Sequence, residues 1–168
     1  LVTVFMPVHN RASLVGFAIE SVLAQTYGDF ELLVVDDGST DRSVDVVRSF
    51  RDPRLRLVVQ ASNRGTPSTR NHGLDLARGR YLALLDSDDL ALPRRLERQV
   101  AFLDRFPNIA AVGSWAIGTT RDGRARKLLV RPTDPNAIRA RTHRSTSQTR
   151  SCTRGPPSKA NASRSAVT

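Results

Sequence analysis

Four short apolar runs alternate with helix-periodic segments along the first hundred residues. Val2 to Val8, Phe30 to Val35, Leu55 to Gln60 and Tyr81 to Leu85 are rich in Val, Leu and Phe, the third of them with alternation, and turn-forming residues follow, His9-Asn10 after the first and Asp36-Asp37-Gly38 after the second. Between them, apolar residues recur at helical spacing: Leu14, Val15, Ala18, Ile19, Val22 and Leu23, then Val44, Val46, Val47 and Phe50, then Leu74 and Ala77. A fourth helical segment, Pro93 to Phe106, places Leu96, Val100, Leu103 and Phe106 on one side. Strands alternating with helices through short connections specify an α/β fold, a mostly parallel sheet with helices on both faces. Ligands of such sheets bind outside the C-terminal ends of the strands. Ser13 suits an N-cap of the first helix, and Asp41 or Thr40 that of the second. Pro67 or Ser68 opens the third, and Gly79 stands past its end. A short strand, Ile109 to Val112, follows the fourth helix. A hairpin then turns at Arg121-Asp122-Gly123-Arg124, between Trp115 to Thr119 and Lys127 to Val130. No repeat occurs at solenoid periods.

The pattern stops near Ala140. Beyond it, Cys152 and Val167 are the only apolar side chains larger than alanine, too few to offset the entropy of ordering. We divide the chain into a domain over 1–140 and a basic, Ser/Arg-rich tail over 141–168 that is expected to be disordered. Asp134-Pro135-Asn136-Ala137-Ile138-Arg139-Ala140 reads as a helix start whose apolar face then vanishes. That change suggests loss of the natural reading frame near Arg141; a natural basic tail is the alternative. Leu1 opens directly into a strand, which suggests a start further upstream.

Charge follows the same division. The chain carries 26 basic and 16 acidic residues, a net of +10. The tail holds six of the basic residues and no acid, leaving +4 on the rest. The basic balance is therefore partly a property of the tail and does not mark the domain as a nucleic-acid binder. Aromatic residues are not interleaved with the basic ones, and acidic loops repel phosphate. The single cysteine, Cys152, excludes an intrachain disulfide and a Cys-based metal site. No apolar run is long enough to span a membrane, and no signal peptide is visible.

Asp86-Ser87-Asp88-Asp89 directly follows the fourth strand. Three carboxylates so close repel one another and favour a cation between them. Mg²⁺ or Mn²⁺ takes oxygen ligands and is often held by one or two carboxylates plus substrate phosphates. A solvated acidic turn capping the next helix accounts for the same tetrapeptide. Asp36-Asp37-Gly38-Ser39 closes the second strand. Gly38 permits a tight turn there, and a carboxylate can accept from a nucleobase N–H or a ribose hydroxyl, or belong to a plain strand-to-helix turn. In a parallel sheet the two acidic loops share one edge, which suggests a nucleotide with its metal. Asn63-Arg64-Gly65 and Arg70-Asn71-His72-Gly73 bring positive charge to that side. Arg70 lies about one turn into its helix, where phosphate is favoured and a guanidinium can bind diphosphate through two hydrogen bonds; a surface arginine is the plainer reading. No G-x-G-x-x-G follows the first strand, and no G-x-x-x-x-G-K-[ST] occurs, which argues against dinucleotide and P-loop sites. His9 and His72 lack metal-ligand spacing. Trp115, Phe102 and Phe106 read as core.

Val4-Phe5-Met6-Pro7-Val8-His9-Asn10, Ser21-Val22-Leu23-Ala24-Gln25-Thr26-Tyr27, Glu31-Leu32-Leu33-Val34-Val35-Asp36-Asp37-Gly38-Ser39-Thr40-Asp41, Asn63-Arg64-Gly65, Arg70-Asn71 and Leu85-Asp86-Ser87-Asp88-Asp89 occur in that order. With these motifs the chain resembles family 2 glycosyltransferases of the GT-A fold, over about residues 1–140. The resemblance implies a Rossmann-like, mostly parallel sheet, incomplete here at its C-terminus. It implies metal-dependent, inverting transfer of a sugar from a nucleotide-diphospho-sugar, usually UDP-linked. The acceptor, a glycan, lipid or small molecule, stays open. Substrate-binding roles are implied for Pro7, Val8, Asn10, Asp37, Arg70, Asp86 and Ser87. Among them, the backbone around Pro7 and the Asp37 carboxylate hold the base, Arg70 lies near uracil and diphosphate, and Asp86 contacts ribose. Asp88 is the implied ligand of Mn²⁺ or Mg²⁺. The family's general base is an acidic residue well downstream, whereas this chain has no Asp or Glu beyond Asp134. No catalytic residue is therefore assigned, and a non-catalytic nucleotide-sugar-binding remnant is the alternative. His9 replaces the more usual tyrosine. A cytoplasmic protein without a nucleic-acid partner is expected, with peripheral contact to the inner face of the membrane left open.

Overall fold

The computed structural model describes residues 1–120, 124–130 and the backbone of 151–154. The elements run β1 (Val2–Val8), α1 (Val15–Leu23), β2 (Phe30–Asp36), α2 (Ser43–Ser49), β3 (Leu55–Val59), α3 (Thr66–Leu76), β4 (Tyr81–Leu84), α4 (Arg95–Arg105), β5 (Ala111–Gly113), β6 (Ala116–Thr119), β7 (Ala125–Leu129) and β8 (Ser151–Arg154). The main sheet has the order β3-β2-β1-β4-β8-β5. Its first four strands are parallel, in registers that pair Val2 with Phe30 and Tyr81, and Leu32 with Leu55. The chain builds outward from β1 to β3, then returns through α3 to lay β4 on the other side of β1. Strand order thus reverses between β1 and β4, and the crevice of an open α/β sheet lies at such a reversal.

β1 divides its side chains between two apolar layers. Val2, Val4, Met6 and Val8 pack with Ile19 and Val22 of α1, Val47 of α2, and Leu96, Val100 and Leu103 of α4. Phe5 packs on the other side with Leu33, Val35 and Leu82, joined by Leu76 of α3. Burial on both faces explains the continuous apolar runs in the sequence. A Cβ at residue 73 would lie 2.2 Å from Phe5 Cε2, so α3 approaches β1 this closely because that residue is glycine. The approach carries the first turns of α3 to the C-terminal edge of the sheet.

Helix starts differ in detail from the sequence reading. Ser13 does not cap α1, which begins behind a turn in which the Leu14 and Val15 N–H groups both donate to Arg11 O at 2.9 Å. Arg42 holds the N-cap position of α2, although Asp41 Oδ1 accepts from Ser43 N at 2.9 Å.

The expected hairpin forms: β6 pairs antiparallel with β7 in a separate two-stranded ribbon, and Thr120 N donates to Arg124 O at 2.9 Å. Its apolar residues are not core. Trp115 and Ile117 are each 56% exposed, and Phe102 and Phe106 are also exposed, the last two in a tilted pair with ring centroids 4.9 Å apart. This corrects the core reading of Trp115, Phe102 and Phe106: among the described residues, nothing packs over them closely enough to bury them. β8 lies antiparallel between β4 and β5, inside the stretch read as a tail. The rest of that stretch, and the helix start at Asp134 to Ala140, lie outside the described residues. Among the described residues, no helix is long and apolar enough to cross a membrane.

Candidate functional site

The C-terminal ends of β1, β2 and β4 open into one cavity of about 220 Å³. Pro7 and Val8 end β1 in its wall, with His9 and Arg11 just beyond. Asp37 enters from the loop after β2, and Asp86, Ser87 and Asp88 from the loop after β4. Thr66, Thr69 and Arg70 enter from the first turns of α3. The cavity thus brings together every residue to which the family resemblance gave a substrate- or metal-binding role, except Asn10.

Asn10 serves as a tie between loops. It adopts the left-handed conformation, with φ 51°, which asparagine tolerates better than most residues. Its Oδ1 accepts from Thr40 N at 2.9 Å, and its own N–H donates to Ser39 Oγ at 2.9 Å. The loops after β1 and β2 are thereby joined.

The carboxylates after β2 are turned inward. Asp36 is 1% exposed, and its Oδ2 accepts from Ser39 N at 2.9 Å. Asp37 is 4% exposed, and its Oδ1 accepts from Arg64 N at 2.8 Å and from Gln60 Nε2 at 3.3 Å. The same Gln60 nitrogen donates to Thr69 Oγ1 at 2.9 Å. Gly38 lets the turn close: φ is +65°, and a Cβ there would lie 2.5 Å from the Ser62 carbonyl carbon.

His9 ties three loops together, a role that its isolated place in the sequence did not reveal. Its Nδ1 lies 2.9 Å from Asp37 O. A carbonyl only accepts, so Nδ1 carries the proton, and Nε2 faces two side-chain amides. These are the Asn63 amide at 3.0 Å and the Asn10 amide at 3.3 Å.

The loop after β4 is different. Asp86, Asp88 and Asp89 each bring a carboxylate oxygen to within 4.8 Å of the others. Arg70 Nη2 lies 3.8 Å from Asp86 Oδ1, and Arg11 Nε lies 3.9 Å from Asp88 Oδ2. These distances are too long for hydrogen bonds but short enough for charge attraction. Buried Arg70 Nε has no hydrogen-bond partner among the described residues. A hard, all-oxygen donor set fits Mg²⁺ or Mn²⁺, and the Arg70 guanidinium, lining the same cavity, suits an anion.

Elsewhere, three carboxylates brace the frame. Hydrogen bonds from Arg94, then from Thr26, hold Glu97 down to about 2. The Arg54 guanidinium holds Asp52 below the usual carboxylate range. Burial pushes Asp41 up, but hydrogen bonds from Ser43 and Ala12 outweigh it and leave the group more acidic than usual.

Comparison with known proteins bears on this site. The family model described as glycosyl transferase family 2 matches residues 3–159. A UDP-Glc:alpha-D-GlcNAc-diphosphoundecaprenol beta-1,3-glucosyltransferase of Escherichia coli is 40% identical over 103 residues, covering 61% of this chain and 41% of that protein. The chain spans less than half the length of the curated relatives that it matches. Among solved structures, S. aureus TarS 1-349 in complex with UDP-GlcNAc superposes with a TM-score of 0.66 at 25% identity, covering 75% of this chain and 37% of that one. The mannosyltransferase PcManGT of Pyrobaculum calidifontis, in complex with GDP-Man and Mn²⁺, gives 0.61 at 32% identity, covering 67% and 34%. The architecture is the GT-A fold that the sequence motifs implied.

Proposed function

Because this chain belongs to glycosyltransferase family 2, we propose that it is the donor-binding part of an enzyme that transfers a sugar, with inversion, from a nucleotide-diphospho-sugar. A UDP-sugar is the first choice of donor. The observation that carries the reading is the meeting of the Asp86 and Asp88 carboxylates with Arg70 in one cavity at the strand-order reversal, with the Asp89 carboxylate close to both acids. TarS in complex with UDP-GlcNAc and PcManGT in complex with GDP-Man and Mn²⁺ support it.

Pro7, Val8 and Asp37 bound the nucleoside, and Asp86 and Ser87 contact the ribose side. Asp88 holds Mn²⁺ or Mg²⁺, with Asp86 and Asp89 close enough to share it. When bound, the ion acts as a Lewis acid that takes up charge on the departing nucleoside diphosphate. Arg70 and the N-terminal turn of α3 direct positive charge toward the same phosphates. The cavity, about 220 Å³, is smaller than the roughly 300–1,000 Å³ usual for a small-molecule site, in keeping with a chain that supplies part of the donor site. Inverting transfer also needs a base for the acceptor hydroxyl. The lack of Asp or Glu beyond Asp134 favours a second reading, in which this chain binds the nucleotide-sugar without turnover.

Calorimetric titration of UDP, GDP and UMP in the presence of Mn²⁺ tests the donor site. UDP is expected to bind about tenfold or more tightly than UMP, because the second phosphate adds charge-assisted contacts. A folded chain that binds neither nucleoside diphosphate would contradict the proposal. Release of UDP from UDP-sugars separates the enzymatic reading from the binding-only one.

A further inference from the structure

We propose that Arg11 is an exchangeable counterion of the donor site. It neutralises Asp88 before donor arrives, and it turns to the donor's diphosphate once a divalent cation takes that carboxylate. The inference rests on the donor-site reading above.

The backbone of residue 11 is fixed. Its N–H donates to Ser43 Oγ at 2.8 Å, and its carbonyl accepts from Leu14 N and Val15 N, both at 2.9 Å. The side chain therefore starts from a rigid point at the cavity wall. Its far end is loosely held: Nη1 donates to the neighbouring Asn10 O at 3.2 Å, and Nε stands 3.9 Å from Asp88 Oδ2. Both side chains of the pair are 45% exposed, and an exposed pair this long is broken at little cost. Arg54 and Asp52 show the contrast. That pair closes at 2.7 Å with two further hydrogen bonds from Arg54 to the same carboxylate, and it is built to stay.

Charge gives Arg11 its direction. A cation on Asp88 removes the attraction that holds the guanidinium and adds repulsion. A diphosphate beside that cation is the strongest acceptor within reach, and a guanidinium can meet it with two parallel N–H groups. Arg70 faces Asp86 at 3.8 Å, so the two arginines stand against different carboxylates of one loop. Arg11 consequently opposes metal binding alone and favours metal binding with diphosphate, coupling the two ligands.

The test is calorimetry of Mn²⁺ alone, then of UDP and UMP at saturating Mn²⁺, on the unaltered chain, Arg11→Gln and Arg11→Lys. Arg11→Gln should tighten Mn²⁺ alone by about two- to fivefold, the range for an exposed ion pair. It should weaken UDP by about tenfold, with UMP less affected. Arg11→Lys keeps the charge without the fork and should fall between. A merely structural role cannot tighten one ligand while weakening the other. Mn²⁺ affinity that is unchanged or lowered, or UDP affinity that is unchanged, overturns the proposal. If the unaltered chain binds Mn²⁺ but no UDP, the donor-site reading falls and takes the diphosphate exchange with it. The Mn²⁺ titration then still decides whether Arg11 guards Asp88.

Discussion

The loop after β2 and the loop after β4 are rich in the same residues and open on the same edge of the sheet, but they use their carboxylates differently. Asp36 and Asp37 are buried and accept from nearby N–H groups. They shape the wall, and Gly38 lets that wall close against residues 62 and 63. Asp88 is 45% exposed and stands 3.9 Å from a cation that can leave. A buried acid held by fixed N–H donors is architecture, whereas an acid facing a loosely held arginine remains available to a ligand.

The contrast can be broken by mutation. Gly38→Val should have the largest effect. It combines a positive φ with a Cβ 2.5 Å from backbone, and it should cost about 3 kcal/mol or more of stability, read from urea denaturation. Full stability in that variant would mean that the loop packs otherwise. Asp37→Ala leaves Arg64 N and Gln60 Nε2 without their acceptor and should cost about 1–3 kcal/mol. Asp88→Ala, by contrast, should stay within about 0.5 kcal/mol of the unaltered chain. Equal losses in the two variants would erase the distinction between the loops.

The smallest effect sharpens the comparison at the frame. Glu97 joins Thr26 to Arg94 at 2.7 Å each and titrates near 2 rather than the ordinary 4.5. Its folded-state value is depressed, so its contribution is present above about 4.5 and is lost as pH falls toward about 2. Thermal unfolding of the unaltered chain and of Glu97→Gln should therefore differ slightly at pH 6 and converge by pH 2 to 3. A constant gap would show that the pair does not titrate as described.

Much of this arrangement was legible in the sequence, for a physical reason. Doubly buried strands need unbroken apolar runs, so β1, β2 and β4 announce themselves, while the half-buried edge strand β3 shows itself by alternation, and parallel strands place their loops on one edge. Asp37, Arg70, Asp86 and Asp88 could be brought together on that basis alone. Asn10, His9 and Arg11 could not, because their roles depend on which loops abut. Ser39, Thr40 and Asn63 become partners only once β1, β2 and α3 are packed. Phe102, Phe106 and Trp115 misled because apolarity alone does not reveal whether another element covers a residue. β8 gave no signal because its ladder uses backbone groups, which Ser151 to Arg154 supply without an apolar pattern.

The central claim is that the loop after β4, and not the one after β2, presents the metal-binding carboxylate of a nucleotide-sugar site. Titrating UDP with and without Mn²⁺ into the unaltered chain and into Asp88→Asn, with thermal unfolding followed in parallel, tests it most directly. The account predicts Mn²⁺-dependent binding that Asp88→Asn loses while unfolding at the same temperature. Undiminished Mn²⁺-dependent binding in Asp88→Asn would contradict it.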